Sequence, residues 1–464
     1  MDNKTVEISE YESLRQKIVE ENQNLVGVVL NDDEKKVDAY LTKLKEKFKT
    51  ACNNDIPYNM PVLLDERIIN SELYSFCMKL PKGSDLHVHG TSLVPVHYLL
   101  DFVYNHEKIL INLDNYLLTY QKDDNCYSLK YAIDNNLIKK ESIIKKWTVL
   151  GKKEDENIWN YFEQLFSYTE AIDLDYDILK DYYVFAFNYY LDVNISHVEI
   201  HVLLSKNINE TRKTVQTIKD AYFEVKRKRE ELVVSIIGTS MKMFDSMQDS
   251  EDIINCVLKV REEIKDDFDP NDIHYFVLGV DLINEEDKSR PLKEYAPLLI
   301  EIKKNNPEFE YYLHCGESIN ANNDNLIDAF LLRAERVGHG TNLYRYPSLL
   351  KEYVKNEICL ESCLISNQIL DYVKDLRLHP SAEYLKRGVT ISLCSDDPIF
   401  FENEALVDDF FAAIVCWDIG LAEIKHLCIN SIMYSGLDRN SKILLMKKWH
   451  EQYKVFINYY LKLA

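Results

Sequence analysis

No apolar run in the chain reaches the roughly 18 residues that a membrane-crossing helix needs. The first residues, MDNKTVEISEYESLRQ, lack the basic start and apolar core of a secretory signal. Gly-rich phosphate loops, internal repeats and low-complexity tracts are missing too. Positive charge is scarce: 55 Lys and Arg face 77 Asp and Glu, a formal charge of −22. Such a body repels phosphate polymers, which excludes long DNA or RNA as substrate but not a small anion in a locally positive pocket. None of the ten cysteines pairs at zinc-knuckle spacing, and the chain is too long for a disulfide scaffold. Several, such as Cys394 in ISLCS, sit in apolar runs. The expectation is reduced, buried thiols in a soluble cytoplasmic protein that engages no membrane.

The hydrophobic fraction of 46% allows a large core and argues against global disorder. At 464 residues the chain suits a barrel with insertions. Residues 1 to about 75 read as a polar, helical N-terminal extension, with Asn31, Asp32 and Asp33 placed to cap VDAYLTKLKEKF. From residue 76 to 464, short apolar runs alternate with helical segments such as PLKEYAPLLIEIKKN. The predicted strands are Ser84–His89, Ser196–Val202, Leu232–Gly238, Ile273–Leu282, Glu310–His314, Arg336–His339, Ile358–Glu361 and Val389–Ser395. Eight alternations predict an α/β fold, a (β/α)₈ TIM barrel. A polar stretch at about 105–157 reads as an insertion after the first strand, and about 421–462 as C-terminal helices on the barrel's outside.

Chemistry concentrates at predicted strand ends. In His87-Val-His89 two imidazoles at i and i+2 point to one side of a strand. His314-Cys-Gly-Glu317 closes the fifth strand, Gly338-His339-Gly340 the sixth, and Ser395-Asp396-Asp397-Pro398 the eighth. Taken singly, each has an ordinary structural reading: a lone histidine after an apolar run, or paired aspartates capping a turn. Together they fall on the face where barrel enzymes keep their active sites. Three histidines and one carboxylate form a zinc shell with an open position.

The motifs HVH, HCGE, VGHGTNL and CSDDP resemble those of adenosine deaminases. LPKG, ESCLISNQIL, DLRLHPSAEYL and NSIMYSGL resemble the branch of adenosine deaminase-related growth factors, from about residue 60 onward. The resemblance implies one Zn²⁺ per chain on His87, His89, His314 and Asp396, lowering the pKa of a bound water towards roughly 7. It implies Glu317 as proton donor to the purine ring nitrogen, His339 as the group that orients or deprotonates that water, and Asp397 as a hydrogen-bond partner of the purine or the attacking hydroxyl. Gly316, Asn284 and Trp159 fall at positions implied to line the purine, with helix core as the alternative for Trp159. The implied reaction converts adenosine, deoxyadenosine, AMP or dAMP to the inosine-type product and ammonia. The helical lead implies a homodimer or larger homo-oligomer.

Departures bear on substrate. The acidic residue that adenosine-specific members carry just after HxH is replaced by Gly90 and Thr91, which leave room for a 5′-phosphate. Lys82 and Lys242 are candidate phosphate partners, and AMP or dAMP stands beside the free nucleoside as a candidate substrate. The HxE-and-PCxxC deaminases are excluded: His197-Val-Glu199 supplies HxE, but no PCxxC exists. A two-metal barrel hydrolase and a non-catalytic nucleoside-binding barrel stay open as alternatives.

Overall fold

The structure is a computed structural model that describes residues 8–21, 26–52, 66–266 and 274–464. Eight parallel strands form one sheet: β1 (Gly83–His89), β2 (Ile195–Leu203), β3 (Val233–Met241), β4 (Val277–Ile283), β5 (Glu310–Cys315), β6 (Arg336–His339), β7 (Cys359–Ser362) and β8 (Ile391–Leu393). The strands lie in chain order around the sheet. The ring closes where Val88 bridges Asp396 in parallel; His89 N–H donates to the Asp396 carbonyl at 3.1 Å, and Asp396 N–H to the His87 carbonyl at 2.9 Å. This is the expected (β/α)₈ barrel. Its strands are buried along nearly their whole length, because helices cover the outside and side chains fill the inside.

Strand boundaries differ from the apolar runs where polar side chains continue a strand. β3 runs three residues past Gly238, through Thr239 and Ser240, because Ser240 and Met241 stay in register with Leu282 and Ile283 of β4. The start predicted for the fourth strand, Ile273, lies outside the described residues.

Within the stretch expected to be an insertion, a three-stranded antiparallel ribbon (Leu110–Asn112, Leu118–Thr119, Cys126–Ser128) precedes the helices Leu129–Asp134 and Lys140–Trp147. The helix Ile158–Thr169 and a short helix, Ala171–Leu174, then cross towards the barrel mouth before Tyr176–Asp192 leads into β2. Ahead of β1, Asn31 caps the helix Asp32–Ala51 through a reciprocal pair with Glu34. That helix is tied to the C-terminal region by Lys45 Nζ on Asp418 (2.9 Å) and Lys425 Nζ on Glu34 (2.6 Å). No disulfide joins any of the ten cysteines, all of which are described. No helix among the described residues is long and apolar enough to cross a membrane.

Candidate active site

His87 and His89 leave the end of β1 on one face, one pleat apart. His314 ends β5 from across the barrel, and Asp396 follows β8, where the ring closes. Metal-competent nitrogens of His87, His89 and His314 lie within 4.8 Å of one another. His89 Nε2 is 3.2 Å from Asp396 Oδ1, and His87 Nε2 is 3.8 Å from the same oxygen. The geometry thus gathers all four residues expected to bind metal.

Buried carboxylates orient this set from beneath. His87 Nδ1 donates to Glu361 Oε2 at 2.7 Å, which leaves Nε2 buried and without a hydrogen-bond partner. His314 Nδ1 donates to Asp281 Oδ2, and His201 Nδ1 donates to that same oxygen at 2.9 Å. An imidazole whose outer nitrogen is held by a carboxylate turns its other lone pair towards a metal. Arg336 continues the network, its Nε on Glu361 (2.5 Å) and its Nη2 on Glu199 (2.6 Å), with its guanidinium over the Tyr312 ring. Burial works to raise the Glu361 pKa, but Arg336 and His87 outweigh it and bring it to about 2. Burial lowers the His314 pKa to about 4, so the ring stays neutral and its lone pair available. These residues fit a divalent metal of zinc type: orphaned imidazole nitrogen, carboxylate-locked rings and one anionic ligand.

The adjacent aspartates titrate apart. Asp396 is held well below the ordinary carboxyl range: burial opposes its ionisation, but His89 and His339 overcome it. Asp397 is raised to about 7 by burial and by its charged neighbour, while Ser92 Oγ donates to it at 2.5 Å. Glu317 is 3% exposed and raised well above the ordinary value, first by burial and then by Asp396 and Glu286. A carboxyl kept neutral beside an ionised one is the pairing that acid catalysis needs. His339, 1% exposed and with φ 64°, is pushed well below its ordinary pKa by burial.

A cavity of about 580 Å³ opens over this floor. His89, His314, Glu317, His339, Asp396 and Asp397 face it, as do Gly90, Thr91, Trp159 and Asn284. Asn284 takes φ 104°, and its side-chain oxygen accepts from Met243 N–H at 3.5 Å.

Three expected residues sit elsewhere. Gly316 is not on the cavity wall: its N–H is spent on Glu286 Oε1 at 3.1 Å, and Asn325 and the Glu317 N–H share that carboxylate. Lys82 precedes β1 at the opposite end of the barrel, fully buried, with Nζ donating to the carbonyls of Val193 (2.7 Å) and Leu80 (3.1 Å). Lys242 follows β3 but is buried behind the wall, its Nζ 3.3 Å from the His314 carbonyl. Neither lysine meets the cavity, and among the described residues no Lys or Arg lines it.

Acids line the outer part instead. Glu163 and Glu170 come from the crossing helix and its end, and Asp173 from the short helix after it. Thr91 Oγ1 donates to Asp173 Oδ2 at 3.0 Å. Enclosure by the cleft raises the Asp173 pKa to about 7, with Thr91 opposing and Glu170 adding, although its exposed surface meets cavity water. The residues that sequence reasoning missed are these acids, the supporting carboxylates Asp281 and Glu361, His201, and Asn367. Glu361 and Asn367 both lay within a noted motif, ESCLISNQIL, which gave neither of them a partner.

The chain matches the family model described as adenosine deaminase over residues 140–452. It is 28% identical to adenosine deaminase 2 of Dictyostelium discoideum, covering 97% of this chain and 88% of that protein. It is 29% identical to an adenosine deaminase of Lutzomyia longipalpis, covering 98% and 96%. Among solved structures, an amidohydrolase from Burkholderia ambifaria with bound zinc aligns at a TM-score of 0.63 and 16% identity, covering 88% of this chain and all of that one. The N6-methyl-AMP deaminase of Arabidopsis thaliana aligns at 0.60 and 15%, covering 82% and 98%. These two likenesses establish the shared barrel. With the family match across most of the sequence, and relatives alike along nearly their whole lengths, the chain belongs to the adenosine deaminase family, in its growth-factor branch, and is a deaminase-type hydrolase.

Proposed function

We propose that this protein hydrolyses the 6-amino group of an adenine nucleoside, using one zinc ion held by His87, His89, His314 and Asp396. The observation that carries the reading is the gathering of the carboxylate-oriented His87 and His314 with His89 and Asp396 at the barrel mouth, beside a buried Glu317 carboxyl whose pKa is raised above its ordinary value. When bound, zinc supplies the Lewis acidity that lets water add to a purine at neutral pH. Glu317 then gives its proton to the ring nitrogen as the oxygen adds at C6. Asp397, its pKa raised to about 7, donates to a purine ring nitrogen when protonated or accepts from the incoming hydroxyl when ionised, and Trp159 forms part of the base-binding wall. One proton of the water reaches the departing nitrogen, so the C6–N bond breaks and ammonia leaves; the other restores the Glu317 carboxyl, and the 6-oxopurine keeps the proton on its ring nitrogen.

The electrostatics of the cavity favour a nucleoside over the 5′-monophosphate that Gly90 and Thr91 suggested. Space for a phosphate exists beside Thr91, but the group that stands there is the Asp173 carboxyl, with Glu170 near it and no cationic side chain on the described wall. A phosphate there meets repulsion, whereas sugar hydroxyls find acceptors. The relatives named adenosine deaminase agree with this choice. The Arabidopsis enzyme named for N6-methyl-AMP shares the barrel at 15% identity, too distant to carry its substrate over.

The test is ammonia release by zinc-loaded protein given adenosine, deoxyadenosine, AMP and dAMP in parallel. Turnover of the nucleosides with the monophosphates poor or inert is expected. Turnover of AMP or dAMP above the nucleosides, or none on any of the four with zinc confirmed bound, overturns the reading.

A further inference from the structure

The proton on His339 has a direction, and the fold sets it from outside the metal-binding residues. We propose that His339 presents Nε2–H to the cavity as a hydrogen-bond donor, and that Ser381, His379 and Asn367 impose this tautomer. The inference rests on the deaminase reading above for its consequence, but not for its geometry.

The chain starts at a group that cannot reverse. The backbone N–H of Ser381 lies 3.2 Å from His379 Nδ1. A peptide N–H only donates, so Nδ1 carries a lone pair and the single ring proton sits on Nε2. Nε2 lies 3.3 Å from Asn367 Oδ1 and donates to it. That contact fixes which end of the amide is oxygen, leaving Asn367 Nδ2 to face the site. Nδ2 is 3.1 Å from His339 Nδ1 and 3.4 Å from Glu317 Oε1, one acceptor for each of its two hydrogens. An amide nitrogen offers no lone pair, so His339 Nδ1 accepts and its ring proton is on Nε2. An imidazolium at His339 or His379 would set two donors face to face, so both rings are neutral by this geometry alone.

The reversed arrangement fails at the backbone. Glu317 Oε1 is also 3.5 Å from His339 Nδ1, so a His339 with Nδ1–H would have a carboxyl oxygen to address. It would require Asn367 flipped, with Nδ2 against His379 Nε2–H. His379 cannot move its proton to Nδ1, because the Ser381 N–H already occupies that side. All four residues are at most 1% exposed, so water does not compete. Asn367 is itself held, its N–H on the Cys363 carbonyl (2.9 Å) and its carbonyl taking the N–H groups of Tyr372 and Val373 (both 2.9 Å).

A ring with its proton on Nε2 cannot take a proton from attacking water through that nitrogen. It donates instead to the oxygen that gains negative charge as it adds at C6, which is electrostatic stabilisation by a preorganised donor. Of the two roles the family resemblance allows His339, orienting or deprotonating the water, this tautomer selects the first. Asn367 and His379 are positioning residues that act through His339.

Two measurements on the zinc-loaded protein test this. In ¹⁵N-histidine spectra of the wild type, assigned by loss of the signal in His339→Gln, His339 is expected to show an unprotonated Nδ1 and a protonated Nε2. Asn367→Asp, whose carboxylate accepts from both imidazoles, is expected to move the His339 proton to Nδ1. It should also lower kcat by about 10²-fold, the scale of losing one preorganised donor, with little change in KM. A protonated Nδ1 on His339 in the wild type, or an Asn367→Asp protein with the tautomer reversed and kcat intact, overturns the proposal. Failure of the wild type to deaminate any adenine nucleoside would sink the functional reading, while the tautomer measurement would still decide the relay.

Discussion

Glu361 Oε2 and His87 Nδ1 lie 2.7 Å apart with both side chains fully buried, 274 residues distant in the chain. The pair fits the strand-end histidine for a metal rather than for the core, because it commits one ring nitrogen and leaves the other without a partner. Glu361→Gln weakens that hold and leaves Arg336 with one carboxylate fewer. Zinc affinity measured by chelator competition is expected to fall about 10- to 100-fold, the usual weight of such a supporting carboxylate. Thermal stability should fall with it. A variant that keeps wild-type affinity removes this role from Glu361.

Glu317 approaches no closer than 3.4 Å to the Asn367 amide, and its carboxyl stays neutral through burial beside Asp396. Glu317→Gln preserves shape and hydrogen bonding but has no acidic proton to give. It should keep zinc and its melting temperature while kcat falls by on the order of 10²–10⁴-fold. Unchanged turnover in a zinc-replete Glu317→Gln protein would refute the acid role.

Why some of this was legible follows from where the side chains sit. HVH, HCGE, GHG and SDDP each end an apolar run, and a barrel carries every strand end to one rim, so four separate motifs imply one site before any contact is known. Lys82 misled because nearness in sequence is not nearness along a strand. It stands five positions before His87, which at about 3.3 Å per residue is roughly 16 Å. The N–H of Gly316 goes to Glu286, 30 residues earlier, a pairing that no local pattern encodes. Glu361, Asp281 and Asn367 had no assignable partner for the converse reason: an acid or amide in an apolar segment has no periodic signature, and each meets its histidine only on another strand, far away in the chain. The acids at the mouth come from helices whose packing direction no local pattern encodes.

Asp173 supplies a dependence on pH. The surrounding cleft raises its pKa although the side chain is exposed to the cavity, so it gains negative charge as pH rises through that raised value. A 5′-phosphate passes its second ionisation near pH 6 and keeps its charge above about pH 7. The preference for adenosine over AMP in kcat/KM should therefore widen as pH rises from 6.5 to 8, by about fivefold, or about 1 kcal/mol of repulsion. In Asp173→Asn the ratio should be smaller and flat across that range. A ratio that rises equally in wild type and variant assigns the effect to another group.

Gly338 gives the most local test of the metal-binding histidines. It lies on β6, where a Cβ would come within 2.9 Å of His87 Cε1 and 3.4 Å of the His314 backbone. Real Cβ atoms do not approach that closely, so alanine must displace something. The His314 backbone is held by its pairing with this strand, and His87 Nδ1 is tethered to Glu361, so the ring tilts about that anchor. The tilt swings Nε2, the atom meant for zinc, and leaves the core contacts of β6 in place. Gly338→Ala should fold with secondary structure unchanged, bind zinc at least tenfold more weakly, the effect of misorienting one ligand, and recover activity when excess zinc is supplied. Loss of folding would mean that the strand, not the imidazole, yields. Wild-type zinc affinity would mean that His87 is not among the ligands.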